Sequence, residues 1–124
     1  DHFKKINDDY SHEMGDQILK FISGIIGEKV RTSDIVARFG GEEIVAALMG
    51  ADEQDGFLKA EEIRKAIKSR VHIPKNPEHT ITVSVGVATC DIKMSLTEVI
   101  ARADKAMYSA KTGGRDRVVR FSDL

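Results

Sequence analysis

Across residues 13–30 the apolar side chains Met14, Ile18, Phe21, Ile22, Ile25 and Ile26 recur at three- and four-residue steps. That spacing predicts a helix with one buried stripe. Residues 55–71 repeat it through Leu58, Ile63, Ala66, Ile67 and Val71. Residues 96–111 do so again through Leu96, Val99, Ile100, Ala103, Met107 and Ala110. The run 43–49 is continuously apolar after Glu43 and lies between Gly41 and Gly50, which suits a short buried strand. Joined to residues 34–39, it predicts a hairpin turning at Gly40-Gly41. Residues 80–88 alternate, with Ile81, Val83, Val85 and Val87 on one face, predicting a strand with one buried side. Pro74 and Pro77 punctuate a polar loop, and residues 117–121 read as a last strand. The sum is an α/β fold, a mostly antiparallel central sheet covered by helices.

Composition narrows the class. A chain of 124 residues, 41% apolar and 31% charged, fits one globular domain, residues 1–124. The net charge of −1 gives no bulk attraction to a polyanion, so no nucleic-acid partner is expected. One cysteine, Cys90, excludes an internal disulfide and suits a reducing compartment. No apolar run nears the roughly 18 residues of a membrane span, and none resembles a signal peptide. The chain opens on Asp1-His2-Phe3 and reads as a piece of a longer protein.

The chemistry starts at the predicted hairpin turn, Arg38-Phe39-Gly40-Gly41-Glu42-Glu43-Ile44. Glycines let another molecule approach the main chain, and two adjacent carboxylates repel unless solvent or a cation screens them. Mg²⁺ takes one or two carboxylates and fills its remaining positions with phosphate oxygens and water. The turn is therefore a candidate site for a nucleotide-bound metal, or else a solvated acidic turn.

Further motifs decide between these. Asp1-His2-Phe3-Lys4, Asn7-Asp8, Ser11-His12, Gly15-Asp16, Arg31 with Asp34, Ser84-Val85-Gly86 and residues 103–116 follow in order along the whole chain. With the Gly-Gly-Glu-Glu turn they resemble the GGDEF domains, diguanylate cyclases that join two GTP molecules into cyclic di-GMP. The resemblance implies a nucleotidyl cyclase or polymerase palm sheet. Three departures stand out: Ser11 replaces a glycine, Ile44 replaces a phenylalanine, and the family's first strand, with a metal-ligand aspartate two residues before Asp1, is missing from this sequence. The fragment is accordingly expected to be weakly active or inactive.

Several roles follow from the resemblance. Glu42 is a metal ligand and proton acceptor, and Glu43 either assists the metal or anchors the turn. Mg²⁺, replaceable by Mn²⁺, is the implied cofactor. Lys4 steadies transition-state charge. Asp16 accepts the N1–H and N2 donors of guanine, and Asn7 reads another edge of the base or the sugar. From the residues alone Asp16 would cap a helix and Asn7 would end one. His12 lines the base or ribose, or is structural. Lys111 and Arg115 grip the terminal phosphates, although basic residues in a last helical turn also suit the helix dipole. Arg31 and Asp34 form the product-inhibition site, with Arg64 as a weaker candidate there. The implied partners are GTP, cyclic di-GMP and a second copy of the domain. The implied location is the cytoplasm, alone or attached to a membrane-bound protein. The alternative is a GGDEF-like module that binds GTP or cyclic di-GMP as a sensor without turnover.

Overall fold

A computed structural model describes residues 1–74 and 76–124. The elements are α1 (Phe3–Asp9), α2 (His12–Lys29), β1 (Ile35–Arg38), β2 (Ile44–Ala47), α3 (Glu53–Arg70), β3 (His72–Ile73), β4 (Asn76–Thr80), β5 (Ser84–Val87), α4 (Leu96–Thr112) and β6 (Arg117–Arg120), followed by a 3-10 turn at Phe121–Asp123. The strands pair in twos. β1–β2 and β3–β4 are antiparallel, and β5–β6 is parallel. The residues divide into two compact units, one of residue 1, 50–65 and 82–124, the other of 2–49 and 66–81.

The second unit holds α1, α2, both antiparallel pairs and the last turns of α3. Ser11 caps α2, its hydroxyl accepting from the Met14 amide at 3.0 Å. The departure at Ser11 thus gives the helix an N-terminal partner that glycine lacks. Ile18, Leu19, Ile22, Ile25 and Ile26 are buried, as is Ile6 of α1. Phe21, expected on this stripe, is 66% exposed instead. It follows Ile18 by three positions yet falls on the far edge of the buried arc, which passes through Ile18, Ile22 and Ile25. An Arg70–Glu28 ion pair at 2.8 Å joins the end of α3 to α2, and α2 packs on β3. The polar segment around the prolines is a hairpin rather than a loop, with His72 opposite Thr80 and Ile73 opposite Asn76. β4 pairs on one side only, which leaves room for Pro77, a residue with no N–H to donate.

In the first unit α4 lies across the parallel pair β5–β6. Ser95 caps α4 through the Glu98 amide at 3.1 Å, and Ala106 and Ala110 are fully buried. Leu96, expected on the stripe, is 69% exposed because it stands in the first turn, before the buried face begins. The predicted strand 80–88 is shorter in the structure: Thr80 ends β4, residues 81–83 belong to no strand, and Ser84–Val87 form β5, which is half-buried throughout instead of alternating. Gly86 sets the helix–strand distance. A Cβ there would fall 1.9 Å from the Ala103 carbonyl oxygen and 2.4 Å from the Met107 amide nitrogen, both backbone atoms. Arg120 and Arg102 cover the faces of Phe57 and Phe121, each 5.1 Å from the ring centre.

Gly86→Ala is therefore expected to destabilise the protein by about 3 kcal/mol, the upper end of overpacking costs, since neither clashing atom can rotate away. The urea midpoint, compared with that of Gly24→Ala on the open side of α2, measures it.

Candidate functional site

The hairpin bends where expected, and an arginine bends it. Arg38 ends β1, and its guanidinium donates to the Gly41 carbonyl from Nη2 at 2.6 Å and from Nε at 3.2 Å. A longer Nε bond reaches Gly40 O, and the Phe39 amide closes the loop on Glu43 O at 2.8 Å. Three carbonyls that strand pairing leaves open are thus satisfied locally. Sequence reasoning gave Arg38 no role; its place immediately before the two glycines is the signal. Because β2 begins only at Ile44, strand alternation does not apply to Glu42 and Glu43. Both line the same cleft.

That cleft, about 420 Å³, is completed by Phe3, Lys4 and Asn7 of α1 and by Gly41. Gly15 of α2 shapes its back wall. A Cβ at Gly15 would stand 2.0 Å from Asn7 Oδ1 and 2.9 Å from Phe3 Cζ. Asn7 Oδ1 is buried there without a hydrogen-bond partner among the described residues. An acceptor left so costs about 1–3 kcal/mol, which makes Asn7 Oδ1 a candidate to meet a donor brought into the cleft. Lys4, Asn7, Glu42 and Glu43 are therefore brought together. His12 and Asp16, both exposed on α2, are not among the described lining residues. Neither caps the helix, since Ser11 does.

Two adjacent carboxylates fit a metal carried in on a nucleotide. Among the described residues no three His, Cys, Asp or Glu side chains converge to make a closed cage. Mg²⁺ needs no such cage when phosphate oxygens and water complete its shell. Glu42 and Glu43 would supply the protein's share.

Arg31 and Asp34 form a different kind of pair. The Asp34 carboxylate accepts from the backbone amides of Arg31 at 2.8 Å and Met49 at 2.9 Å, and its side chain is 3% exposed. Those two N–H groups, the Arg31 one first, hold its pKa below the usual carboxylate range. The Arg31 guanidinium is 67% exposed and donates to the Met49 carbonyl. Asp34 thus fixes the turn, and Arg31 is the member that faces solvent.

Lys111 and Arg115 belong to the first unit. Lys111 stands in the last turn of α4, and Arg115 in the turn to β6. Gly114, Arg115 and Asp116 all have positive φ, at 120°, 62° and 45°. Arg115 lacks the freedom of glycine, and this conformation costs it of order 1–2 kcal/mol, whereas Asp116 is of a type that tolerates it. Side chains hold the turn. Asp1 Oδ2 accepts the Asp116 amide at 3.2 Å while its carboxylate also takes the hydroxyls of Thr82 and Ser84, at 2.8 and 2.6 Å. Asp116 Oδ1 accepts from Arg64 Nη1 at 2.8 Å, and Arg64 is forked on Glu61 at 3.1 and 2.9 Å. Arg64 is therefore engaged with Glu61 and Asp116, and the weaker expectation that it serves the Arg31 site has no support in these contacts.

The structure is thus an α/β domain with a cleft lined by two adjacent carboxylates, a lysine and an asparagine. Residues 1–117 match the family model for the diguanylate cyclase GGDEF domain, and the chain belongs to that family. It is 41% identical over 118 residues to diguanylate cyclase DgcP of Pseudomonas aeruginosa, covering 95% of this chain and 18% of that protein. With the probable diguanylate cyclase DgcT of Escherichia coli it shares 40% over 124 residues, 96% of this chain and 27% of that one. The chain thus spans less than a third of either relative's length. The GGDEF domain of DgcB from Caulobacter crescentus, solved in complex with c-di-GMP, superimposes with a TM-score of 0.91 at 35% identity, covering 98% of this chain and 73% of that one. Among the described residues no helix is long and apolar enough to cross a membrane.

The Arg64 fork holds the Glu61 pKa below its usual range, first by hydrogen bonding and then by charge. A lowered folded-state pKa stabilises above the unfolded value, near pH 4.3, and that contribution fades as pH falls through the folded value. Glu61→Gln is expected to lower the urea midpoint at pH 7 and to approach the parent's midpoint as the pH falls through the lowered folded-state pKa. Midpoints equal to the parent's across that whole range would show that the fork contributes nothing.

Proposed function

We propose that this domain is a diguanylate cyclase, condensing two GTP molecules into cyclic di-GMP with release of two pyrophosphates. The observation that carries the reading is the cleft where Lys4 and the orphaned Asn7 amide meet Glu42 and Glu43. Family membership and the names of the two bacterial relatives support it. Each condensation forms a bond from a 3′-oxygen to an α-phosphorus and breaks the bond from that phosphorus to the leaving pyrophosphate. The hydroxyl proton passes to Glu42 in this reading. Mg²⁺, or Mn²⁺ in its place, supplies neutralisation of phosphate charge and a more acidic hydroxyl when bound.

The remaining roles are assigned by side-chain chemistry. Lys4 sets a positive charge against the phosphates as negative charge grows in the transition state. Asn7 and Asp16 read guanine, with Asp16 accepting N1–H and N2–H while its adenine counterpart offers no such pair. His12 stands in the same helical turn as Asp16 and borders the base or ribose. Lys111 and Arg115 hold the terminal phosphates. The product contains two equivalent guanylates, so two copies of the domain work together as a homodimer. Cyclic di-GMP returns to Arg31, held ready by Asp34, and limits further synthesis. The domain works in the cytoplasm.

Glu42→Gln in the full-length protein is expected to abolish cyclic di-GMP formation with Mg²⁺ and GTP while the circular dichroism spectrum stays unchanged. An amide is a weak Mg²⁺ ligand and no base. Unaltered product formation would remove Glu42 from the mechanism.

Arg31→Ala is expected to leave the initial rate near its starting value and to abolish inhibition by added product. A guanidinium fork on phosphate or a guanine edge has no substitute in alanine. If Arg31 only braces the Met49 carbonyl, the inhibition curve and the calorimetric titration of cyclic di-GMP stay where they were.

A further inference from the structure

We propose that Arg64 is a positioning residue for the phosphate grip: through Asp116 it holds the left-handed turn that presents Arg115. The proposal rests on the reading of Arg115 as a phosphate-binding cation and extends it to a residue with no ligand contact of its own. Arg115 and Asp116 sit at φ 62° and 45°; Asp tolerates this conformation, but Arg is not a residue type that adopts it without help. Released, they would relax to negative φ, and the Arg115 side chain would leave the turn in another direction.

The restraint is built from outside the turn. Arg64 lies on α3, 52 positions before Asp116, and bonds its carboxylate at 2.8 Å. The guanidinium has little room to follow a moving partner, because its other edge is forked on Glu61 and its side chain is 16% exposed. Asp1 holds the neighbouring backbone amide, and Arg117 Nε holds the Arg115 carbonyl at 2.9 Å. The carbonyl, amide and side chain around Arg115 and Asp116 are thus each tied to a different residue.

The test separates a phosphate grip from general stability. Binding of 3′-deoxy-GTP, which lacks the attacking hydroxyl and so is not turned over, and of GMP is measured by calorimetry with Mg²⁺ at protein concentrations that read millimolar affinity. Asp116→Gly accepts positive φ without strain and keeps the amide for Asp1, while removing the carboxylate that Arg64 holds. It is expected to weaken 3′-deoxy-GTP on the order of tenfold, as one displaced charge-assisted contact would, and to leave GMP within about twofold. Arg64→Met should do the same. Asp116→Asn, which keeps an acceptor for Arg64 and tolerates left-handed backbone, should restore parental binding.

Parental affinity for 3′-deoxy-GTP in Asp116→Gly overturns the proposal, and so does an equal loss for both nucleotides. If Arg64→Met does not fold, the Asp116→Gly and Asp116→Asn pair decides alone. An unmutated domain that binds 3′-deoxy-GTP no better than GMP overturns the phosphate role of Arg115 and the proposal with it. One that binds neither nucleotide overturns the guanine-nucleotide reading itself, which is a distinguishable result.

Discussion

At Gly86 the backbone of β5 comes so near α4 that a methyl group would fall 1.9 Å from a helix carbonyl, and at Gly15 one would fall 2.0 Å from the Asn7 amide. The same constraint, a side chain that must be absent, acts once in each unit. In the first it lets α4 settle on the parallel pair with only Ala106 and Ala110 buried beneath it. Small buried residues on the helix and a glycine on the strand give a short interaxial distance, and the helix C-terminus with Lys111 follows from it. In the second unit the constraint lets α1 press on α2, so that Phe3 and Asn7 form the wall of a cleft instead of being pushed off it. Packing distance and site shape are therefore set by the same two positions.

The carboxylates divide by their surroundings. Asp1 and Asp34 accept from backbone amides and hydroxyls, and each ties together segments remote in sequence. Glu42 and Glu43 form no ion pair among the described residues and stand exposed beside a turn. A carboxylate whose lone pairs are already occupied is a poor metal ligand; one screened only by water is a good one. The sequence motif Arg-x-x-Asp leads to the expectation that Asp34 and Arg31 serve a ligand alike. Its two backbone donors give it a structural occupation first.

How far the sequence is legible depends on whether the signal is local. The helices α2, α3 and α4 and the β1–β2 hairpin were readable because periodicity and glycines act over a few residues. The cleft was readable for Lys4, Asn7, Glu42 and Glu43, which lie in two short motifs. The β3–β4 hairpin was not, since it consists of two- and five-residue strands around prolines, with almost no apolar alternation. The break within residues 80–88 was hidden for the opposite reason: the alternation runs unbroken from the end of β4 through residues 81–83, which belong to no strand, into β5. The link from Arg64 to Asp116 joins residues 52 apart in different elements, and no spacing rule points to it.

Arginine and lysine have separate tasks in this chain. Arg38 spans the carbonyls of the glycine turn, Arg31 reaches Met49, Arg64 bridges Glu61 and Asp116, and Arg117 holds the Arg115 carbonyl. Each case uses the planar fork to bond more than one acceptor or to lock a turn, which a single ammonium point charge does poorly. Lys4 and Lys111 form no ion pair among the described residues, and each keeps its charge for whatever approaches. A flexible stem with a compact charge suits a phosphate that shifts as a bond breaks, whereas a rigid fork suits a turn that must not shift. In the proposed reading Arg115 joins these two lysines as a phosphate-binding cation, while its turn is held by Arg64 and Arg117. The turn thereby sets a mobile-charge task on a rigid base, and that division accounts for arginines concentrating at bends rather than in the cleft.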